Sequence, residues 1–372
     1  MRILVTGGAG FIGSFLTESL LARGYSVTIL DSLDPQVHPS GLPAYLPRDA
    51  RLQVGDIRDR EALCQTVENA DAVVHCAAAV GVAQSLYQPY RFVDVNVGGT
   101  ALLLELLAER KRRLSRLLIF TSMTGYGEGL YRRPSDGTLL RVGIRTEAEI
   151  QEHGWEPVHP ENGEGLEPVP TPEEAMLMAR NIYALTKRYQ EELAFSLGQT
   201  FDFPVVCLRL FNVYGPRQSL SNPYTGVLAI FLSRLLAGHA PVVYEDGNQS
   251  RDFVSVHDVV RAAIMALEQP AACGQVINIG SGVPRGIGDC ARVLACLLGR
   301  EDLEPQISGQ FRKGDIRHCT ADISKARRLL GYEPQVRWED GLAELIEWAQ
   351  SAPSADYFDR AASELNRHGL VQ

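Results

Sequence analysis

Three side chains in this sequence of 372 residues could together take the hydroxyl proton from an alcohol while its hydride leaves for a separate acceptor. Tyr183 and Lys187 are one turn apart on a predicted helix, so their side chains share one face. A lysine ammonium stabilises a phenolate, which lowers the tyrosine pKa and prepares it to accept a hydroxyl proton. Such pairs also occur by chance on exposed helices. Ser122 follows a predicted strand and favours the catalytic interpretation, because its hydroxyl can hydrogen-bond the same reacting oxygen.

A glycine-rich turn between the first predicted strand and the first predicted helix indicates a dinucleotide site. Gly7, Gly10 and Gly13 allow the backbone to approach a pyrophosphate, whose charge then lies at the helix N-terminus. Phe11 and Ile12 open that helix within the same motif. Taken alone, the pattern also fits an ordinary strand-to-helix turn.

Acidic residues after the second and third predicted strands support this hypothesis. Asp31 lies about twenty residues beyond the glycines, where a carboxylate accepts hydrogen bonds from an adenosine ribose and repels a 2′-phosphate. This favours NAD over NADP, although Asp31 could be a loop or cap carboxylate and Asp34 is a rival. Asp56, with Ile57 beside it, could face the adenine, whereas Asp59 is as well explained as a helix cap.

Small residues follow the fourth predicted strand. Ala77 and Ala79 are the size expected where a cofactor crosses the carboxyl end of a strand, and they are equally compatible with tight packing.

The alternation of short apolar runs with longer amphipathic stretches predicts an α/β fold. We expect a Rossmann-type, doubly wound parallel sheet, followed by a smaller mixed α/β substrate-binding lobe. Helices are predicted over 11–23, 96–113 and 172–197, and a strand over 204–210.

We assign residues 1–210 to the NAD-binding domain, with an irregular insertion over 128–171 where periodicity is weak. Residues 211–372 form mainly the substrate-binding lobe, and part of 252–281 returns to the first domain. Helices near 322–330 and 340–350 are assigned to the lobe.

Composition narrows the class of protein. Lys and Arg total 36 against 45 Asp and Glu, and this net charge of -9 opposes a sequence-independent grip on nucleic acid. The seven cysteines are scattered and never form a CxxC pair, so we expect reduced thiols and no disulfide framework or zinc knuckle. With neither a long apolar run nor a leader pattern, we expect a cytoplasmic protein that does not bind membranes.

Four motifs together resemble the extended short-chain dehydrogenase/reductases: GGAGFIG, the helical YALTK, TSMTGYG and the later RLFNVYGPRQ. The resemblance covers nearly the whole chain. Within this group the sequence is similar to the NAD-dependent nucleotide-sugar epimerases and dehydratases. The stretches AAAVGVAQS and GDIRHCTADISKA resemble a branch that includes dTDP-L-rhamnose 4-epimerases and UDP-glucose 4-epimerase-like enzymes.

The resemblance implies a function for each motif. Ser122, Tyr183 and Lys187 would be a catalytic triad, with Lys187 also holding the nicotinamide ribose of NAD. Asn96 would support the active-site helix. The residues expected to contact the substrate are Ser85, Ser122, Met123, Asn212, Arg217, Arg251 and Arg317.

Within that set, Ser85 would face the sugar, and Asn212 and Arg217 would lie along the nucleotide diphosphate. Arg251 and Arg317 would be phosphate clamps, because an acidic protein needs placed guanidinium groups to hold a pyrophosphate. Each arginine alone is as well explained by a surface salt bridge.

No metal site is predicted. His153 and His159 lie in the insertion among glutamates, and a solvated lid or dimer-contact loop explains them better than metal ligation.

The resemblance implies epimerisation at carbon 4 of a dTDP- or UDP-linked hexose. Dehydratases of this family carry an Asp-Glu pair where Met123 and Thr124 stand, which disfavours a 4,6-dehydratase. Decarboxylation of a nucleotide-linked uronic acid begins with the same oxidation and stays an alternative. A non-catalytic NAD-binding structural or sensing protein is a different class, and the intact triad opposes it.

The family resemblance also implies a homodimer built through the helices over 96–113 and 172–197. An apolar stripe permits this contact but could equally pack on the sheet; its residues are Leu102, Leu103, Leu106 and Leu107.

Overall fold

The computed structural model of the protein describes residues 1–224, 226–352 and 355–371. Its strands are β1 (Arg2–Thr6), β2 (Ser26–Asp31), β3 (Arg51–Val54), β4 (Ala72–His75), β5 (Arg116–Ser122), β6 (Leu130–Arg132), β7 (Leu139–Arg141), β8 (Glu167–Val169), β9 (Val205–Leu210), β10 (Asn212–Tyr214), β11 (Val242–Val243), β12 (Ser250–Ser255), β13 (Gln275–Ile279), β14 (Pro284–Gly286), β15 (Gln306–Ile307) and β16 (His318–Cys319).

The α-helices are α1 (Phe11–Ala22), α2 (Arg60–Val67), α3 (Val82–Tyr87), α4 (Pro89–Phe92), α5 (Gly99–Glu109), α6 (Glu147–His153), α7 (Ile182–Thr200), α8 (Val227–Leu236), α9 (Val256–Glu268), α10 (Ile287–Leu297), α11 (Ser324–Leu330), α12 (Trp338–Ser351) and α13 (Phe358–Arg367). A π-helical turn over Val93–Gly98 precedes α5, and 3₁₀ turns span Met123–Tyr126 and Pro270–Ala272.

Seven parallel strands form the main sheet in the order β13-β9-β5-β4-β1-β2-β3. Successive residues of a strand face opposite sides, so Ile3 and Val5 enter one core and Leu4 enters the other. The first core includes residues of α1, α9 and α11, and the second includes residues of α2, α5 and α7. Helices on both faces confirm the predicted Rossmann-type fold.

The carboxyl ends of these strands lie at one edge of the sheet, where doubly wound proteins bind their ligands. The glycine turn follows β1, Asp31 ends β2, His75 ends β4 and Ser122 ends β5. The fold therefore brings the separate sequence motifs to one edge.

The smaller lobe has its own apolar core. It contains Leu228 and Phe231 of α8, Leu294 of α10, and Leu342 and Ile346 of α12. The mixed arrangement of β10, β12, β14 and β16 borders it, with β12 antiparallel to β14 and parallel to β10 and β16. This agrees with the mixed α/β lobe expected from the sequence.

Elements from residues 211–372, among them α9, β13 and α11, join the main domain. β13 pairs with β9 at the sheet edge, and it falls within 252–281. α11 was assigned to the lobe, and that assignment is wrong, because Ala326 and Leu330 are buried in the core beneath the main sheet. An apolar helix face shows that a core must cover it, but it does not show which core.

The insertion is more regular than its sequence indicates, which corrects the expectation of an irregular segment. β6 pairs antiparallel with β7 and β8, and Thr146 and Glu149 form a capping box at the start of α6. Each strand has three residues. Such strands are too short for an alternating pattern to stand out.

The helices predicted over 96–113 and 172–197 both begin later in the structure. α5 starts at Gly99, after the π-helical turn, and α7 starts at Ile182, after a non-helical stretch over 172–181. Among the described residues, no helix combines the length and apolar character needed to cross a membrane.

Candidate active site

The first turn of α7 carries Tyr183, and two hydrogen bonds fix where this helix begins. The Asn181 side chain accepts a hydrogen bond from Ala184 N at 2.9 Å, which caps the helix. The Tyr183 N–H donates to Ser85 Oγ at 3.1 Å. The phenol is 9% exposed, so it is held in a largely water-free environment.

Ser122 and Tyr183 meet at the end of β5. Burial raises the pKa of the Tyr183 phenol to about 12, and a hydrogen bond with the Ser122 hydroxyl opposes that rise. Ser122 Oγ also accepts hydrogen bonds from Thr124 N at 3.2 Å and Thr124 Oγ1 at 3.0 Å. The turn that follows β5 thus orients the serine hydroxyl.

Lys187 lies one turn beyond Tyr183 and is 5% exposed. Its ammonium Nζ donates to the carbonyl oxygen of Phe120 at 3.0 Å. Burial lowers the pKa of Lys187 to about 8, while nearby groups including Cys76 and Glu191 oppose that shift. The expectation that Lys187 lowers the pKa of Tyr183 stays a prediction, since burial dominates the tyrosine.

Asn96 ties the catalytic helix to the loop after β4. Its Oδ1 accepts from Ala79 N at 2.7 Å, and its Nδ2 donates to Ala79 O and Thr186 Oγ1, each at 3.0 Å. Asn96 lies in the π-helical turn and is fully buried. The fold therefore places this side chain where it can support α7.

The glycine turn has the close backbone packing that a dinucleotide loop requires. A Cβ atom on Gly7 would lie 2.7 Å from Ala77 N, and one on Gly13 would lie 2.2 Å from Gly7 O. A Cβ on Gly10 would meet only Gly7 O, at 3.4 Å. Gly10 stands before α1 without a side-chain cap, so the N–H groups there are suited to phosphate oxygens.

The residues at the start of α1 hold this turn in place. Phe11 and Ile12 are partly buried against the main core. The Tyr45 hydroxyl donates to Ala9 O at 3.1 Å, from a loop that the sequence patterns did not single out.

Asp31 is the acidic residue that contacts the glycine turn. Its Oδ2 accepts from Ala9 N and its Oδ1 accepts from Leu33 N, each at 2.9 Å. Each carboxylate oxygen has two lone pairs, so both keep capacity for a ribose hydroxyl. The rival, Asp34, is instead paired with Arg91 at 2.8 Å.

The acidic residues after β3 have separate contacts. Asp56 accepts hydrogen bonds from Arg58 at 2.7 and 2.8 Å. An adenine at this position would therefore meet a carboxylate that is already paired with Arg58. Asp59 caps α2 by accepting from Glu61 N and Ala62 N. Ile57 is buried and borders Gly99, where a Cβ would lie 2.5 Å from Ile57 Cγ2.

Residues next to Ser122 and residues of the smaller lobe together line one pocket. Its walls include Val82, Met123, Thr124, Asn181, Asn212, Tyr224, Tyr244, Gln249, Arg251, Arg312 and Lys313. Among the described residues, nothing hydrogen-bonds the buried Asn212 Oδ1 or Gln249 Oε1. Buried acceptors without partners suit a pocket that binds a polar ligand.

Two arginines share one carboxylate at the far wall of this pocket. Asp315 Oδ1 accepts from Arg251 Nη2 at 3.1 Å, and Asp315 Oδ2 accepts from Arg312 Nη2 at 2.7 Å. Arg251 also donates to the carbonyl oxygens of Ile316 and Arg317. Because two guanidinium groups share a single carboxylate, this wall keeps a net positive charge that can attract an anion. Arg312 was not selected from the sequence.

Arg317 was expected to be a phosphate clamp together with Arg251, but it does not line the pocket. Its guanidinium is fully buried and donates to Glu156, Glu245 and Asp246 over 2.5 to 2.9 Å. A phosphate would have to displace these carboxylates. Arg317 is therefore a structural residue whose ion pairs connect the insertion to the lobe.

Ser85 and Arg217 also differ from the expected positions. Ser85 is fully buried, and its hydroxyl donates to Val82 O at 2.6 Å while accepting from Tyr183 N, so it orients α7. Arg217 Nη2 donates to Glu18 of α1 at 2.8 Å, and its guanidinium lies 4.1 Å from the Phe15 ring centre. Arg217 therefore packs against α1, the helix that follows the glycine turn, and does not line the pocket.

The described residues contain no group of three His, Cys, Asp or Glu side chains that could hold a metal ion. In the insertion, His159 Nε2 lies 3.2 Å from Arg133, and His153 lies 3.8 Å from Glu152.

The parallel sheet, the glycine turn and the Ser122, Tyr183 and Lys187 set define an enzyme of the extended short-chain dehydrogenase/reductase class. The chain belongs to the NAD dependent epimerase/dehydratase family, whose model matches residues 3–145 and 160–280. The unmatched residues between these stretches include α6 of the insertion. The resemblance stated from the motifs is thereby confirmed, and NAD is the cofactor of this family.

Individual relatives match almost the full chain. A dTDP-L-rhamnose 4-epimerase of Burkholderia thailandensis is 37% identical over 355 residues, covering 93% of this chain and 94% of that protein. The crystal structure of a UDP-glucose 4-epimerase of Thermotoga maritima with UDP-glucose is 30% identical, with a TM-score of 0.77 over 94% of this chain and 99% of that one.

A second solved structure contains the cofactor. The UDP-glucuronic acid 4-epimerase of Bacillus cereus, in complex with UDP-glucuronic acid and NAD, is 27% identical to this chain. Its TM-score is 0.76, over 94% of this chain and 99% of that one.

Proposed function

We propose that the protein is an NAD-dependent epimerase that inverts carbon 4 of a nucleoside-diphosphate hexose. The observation that carries this proposal is one pocket that is lined both by Met123 and Thr124, next to Ser122, and by Arg251 and Arg312. The side chains around Ser122 can remove the proton of an alcohol that is being oxidised, and the guanidinium groups can hold a diphosphate. A sugar linked to a nucleoside diphosphate has both groups in one molecule.

The chemistry divides between the cofactor and the chain. When bound, NAD supplies the acceptor, and then the donor, of a hydride at carbon 4. Ser122 donates a hydrogen bond to the carbon-4 oxygen, and Tyr183 removes the hydroxyl proton as the hydride leaves. The sugar becomes a 4-keto sugar, turns within the pocket, and receives the hydride on its opposite face while Tyr183 returns the proton.

Tyr183 needs a positive charge nearby to act as a base, because burial raises the pKa of its phenol to about 12. Lys187 is one helical turn away and can supply that charge. The Phe120 carbonyl accepts from Lys187 Nζ, which keeps the ammonium at the carboxyl end of β5. Lys187 would also bind the nicotinamide ribose, as the family resemblance implies.

The side chains beside Ser122 favour epimerisation over dehydration. Met123 is buried and apolar, and the Thr124 hydroxyl donates to Ser122. Neither side chain can deprotonate carbon 5 or protonate a leaving hydroxyl at carbon 6. The pocket can therefore generate a 4-keto sugar but lacks an acid-base pair at these positions for elimination.

Proton NMR in deuterated water tests this function with dTDP-L-rhamnose, UDP-glucose and UDP-glucuronate offered separately. We expect a new sugar with changed coupling at carbon 4 from one of them. Release of carbon dioxide from the uronate would replace the proposal with decarboxylation. Failure with all three, by protein that contains NAD, would contradict the proposed substrate class.

We also propose that the protein works in the cytoplasm on a dTDP- or UDP-linked sugar. All seven cysteines are free thiols, which suits a reducing compartment.

A homodimer is part of the same proposal. Among the predicted leucines, Leu103, Leu106 and Leu107 are buried against the sheet, so they are not the contact surface. An apolar groove lies beside them, lined by Val93, Val97, Ile182, Leu185, Thr186, Tyr189 and Leu193. Val93 is 46% exposed and Tyr189 is 49% exposed. A second copy of this chain, presenting the same helices, would cover the groove on both subunits.

A further inference from the structure

The helix α13 forms part of the wall of the substrate pocket. Phe358, Ala361, Ala362 and Leu365 of this helix, together with Leu370 beyond it, line the pocket. Ala361 and Leu365 are nearly buried, at 4% and 5% exposure. Residues 355–371 therefore form one surface of the pocket and act as its cover.

The segment before α13 is anchored to the smaller lobe. Ala355 N donates to Ser221 Oγ at 3.0 Å, and Ser233 Oγ donates to Ala355 O at 3.2 Å. Asp356 is paired with Arg234 at 3.3 Å. These contacts fix the beginning of the cover on α8.

The residues after α13 reach the loop that presents Arg312. Lys313 N donates to Leu370 O at 2.9 Å, and Val371 bridges to Arg312 in an antiparallel pair. Arg312 and Lys313 both line the pocket. The cover is thus tied to the wall where a diphosphate would be held.

One carboxylate joins the middle of the cover to two tyrosines. The Tyr224 hydroxyl donates to Glu364 Oε2, and the Tyr87 hydroxyl donates to the Tyr224 oxygen at 2.5 Å and lies 3.1 Å from Glu364 Oε2. The His368 ring stacks on the Tyr87 ring, with centroids 4.9 Å apart. Tyr224 lines the pocket, and Tyr87 ends α3, whose Val82 also lines it.

We propose that Glu364 is a positioning residue that latches α13 over the pocket and keeps a bound nucleotide from leaving. The proposal rests on the proposed nucleotide-sugar function. The latch joins the lobe to the NAD-binding domain, because α13 is anchored on α8 whereas Tyr87 belongs to α3. Losing the carboxylate would free the cover without altering Ser122, Tyr183 or Lys187.

Binding of UDP and of dTDP to the NAD-containing protein tests the latch independently of turnover. For Glu364→Gln we expect dissociation constants about tenfold higher, through faster release, because a charge-assisted hydrogen bond is lost. The kcat with the substrate should change less than about threefold while KM rises about tenfold. The matched control is Glu347→Gln, an exposed carboxylate on α12, which should leave all three quantities unchanged.

A second set of variants separates latching from general stability. The double variant Tyr87→Phe, Tyr224→Phe keeps both rings and removes both donors, so it should reproduce the effect of Glu364→Gln. Combining all three changes should add little further, because the same contact is already lost. Unchanged release of UDP and dTDP from Glu364→Gln would overturn the latch alone. A wild-type protein that binds neither nucleotide would contradict the proposed function as well.

Discussion

Ser85 Oγ accepts a hydrogen bond from the backbone N–H of Tyr183 at 3.1 Å, so α3 fixes the position at which the catalytic helix begins. Ser85 also donates to Val82 O within α3. The hydroxyl thereby connects a helix that lines the pocket to Tyr183, the proposed base.

Replacing Ser85 by Ala should lower kcat about tenfold and the free energy of unfolding by about 1 kcal/mol, since one buried hydrogen bond is lost. Steady-state kinetics and urea unfolding measure the two effects. Ser196→Ala, which removes an exposed hydroxyl from α7, is the control. An unchanged kcat in Ser85→Ala would show that this contact does not position Tyr183.

Replacing Tyr183 by Phe should reduce kcat about a thousandfold, because the group that accepts and returns the proton is removed. The fold and the amount of bound NAD should stay as in the wild type. Tyr189→Phe provides a matched control, because it removes a half-exposed phenol hydroxyl two turns along the same helix. Equal loss of activity in the two variants would contradict the assigned base.

The stability of NAD-free protein should depend on pH through Lys187. Burial lowers the pKa of Lys187 from 10.5 to about 8. Between these pH values the unfolded chain binds the proton more tightly than the folded chain, so rising pH favours the folded state. Relative to Lys187→Met, the wild type should gain about 3 kcal/mol over this range. A pH-independent difference in unfolding free energy would contradict the lowered pKa.

Two arginines near the lobe should respond differently to replacement. Arg317→Met should lower the free energy of unfolding by about 3 kcal/mol, because Glu156, Glu245 and Asp246 all lose the buried guanidinium that they share. Arg312→Met should raise KM about tenfold, with little change in stability, because Arg312 is 39% exposed and faces the pocket. Thermal unfolding and steady-state kinetics on both variants measure the two effects. A raised KM for Arg317→Met and a loss of stability for Arg312→Met would instead indicate that Arg317 binds the phosphate.

The proposed dimer depends on the apolar groove beside α7. Val93→Asp should convert a particle of twice the 40.9 kDa chain mass into a monomer, as measured by light scattering after size exclusion. Val283→Asp alters an equally exposed valine outside this groove and should leave the mass unchanged. Persistence of the wild-type dimer in Val93→Asp would place the interface elsewhere.

The parts of the site that depend on local sequence could be predicted. The glycine turn, Ser122 and Tyr183 each lie at the boundary of a strand or helix, and parallel strands bring such boundaries to one edge. The choice among arginines could not be predicted, because Arg312 and Arg317 differ only in what surrounds them after folding. The contribution of α13 to the pocket depends on the packing of distant elements, and its sequence contains no motif for it.

In the proposed reaction, Tyr183 takes a proton from the carbon-4 hydroxyl, and NAD takes a hydride from carbon 4 and returns the same hydride. We would follow the accepted nucleotide sugar, labelled with deuterium at carbon 4, by NMR in ordinary water. We expect the epimer to keep its deuterium at carbon 4 and Tyr183→Phe to form almost no epimer. Replacement of the deuterium by solvent hydrogen would contradict hydride return and, with it, the proposed mechanism.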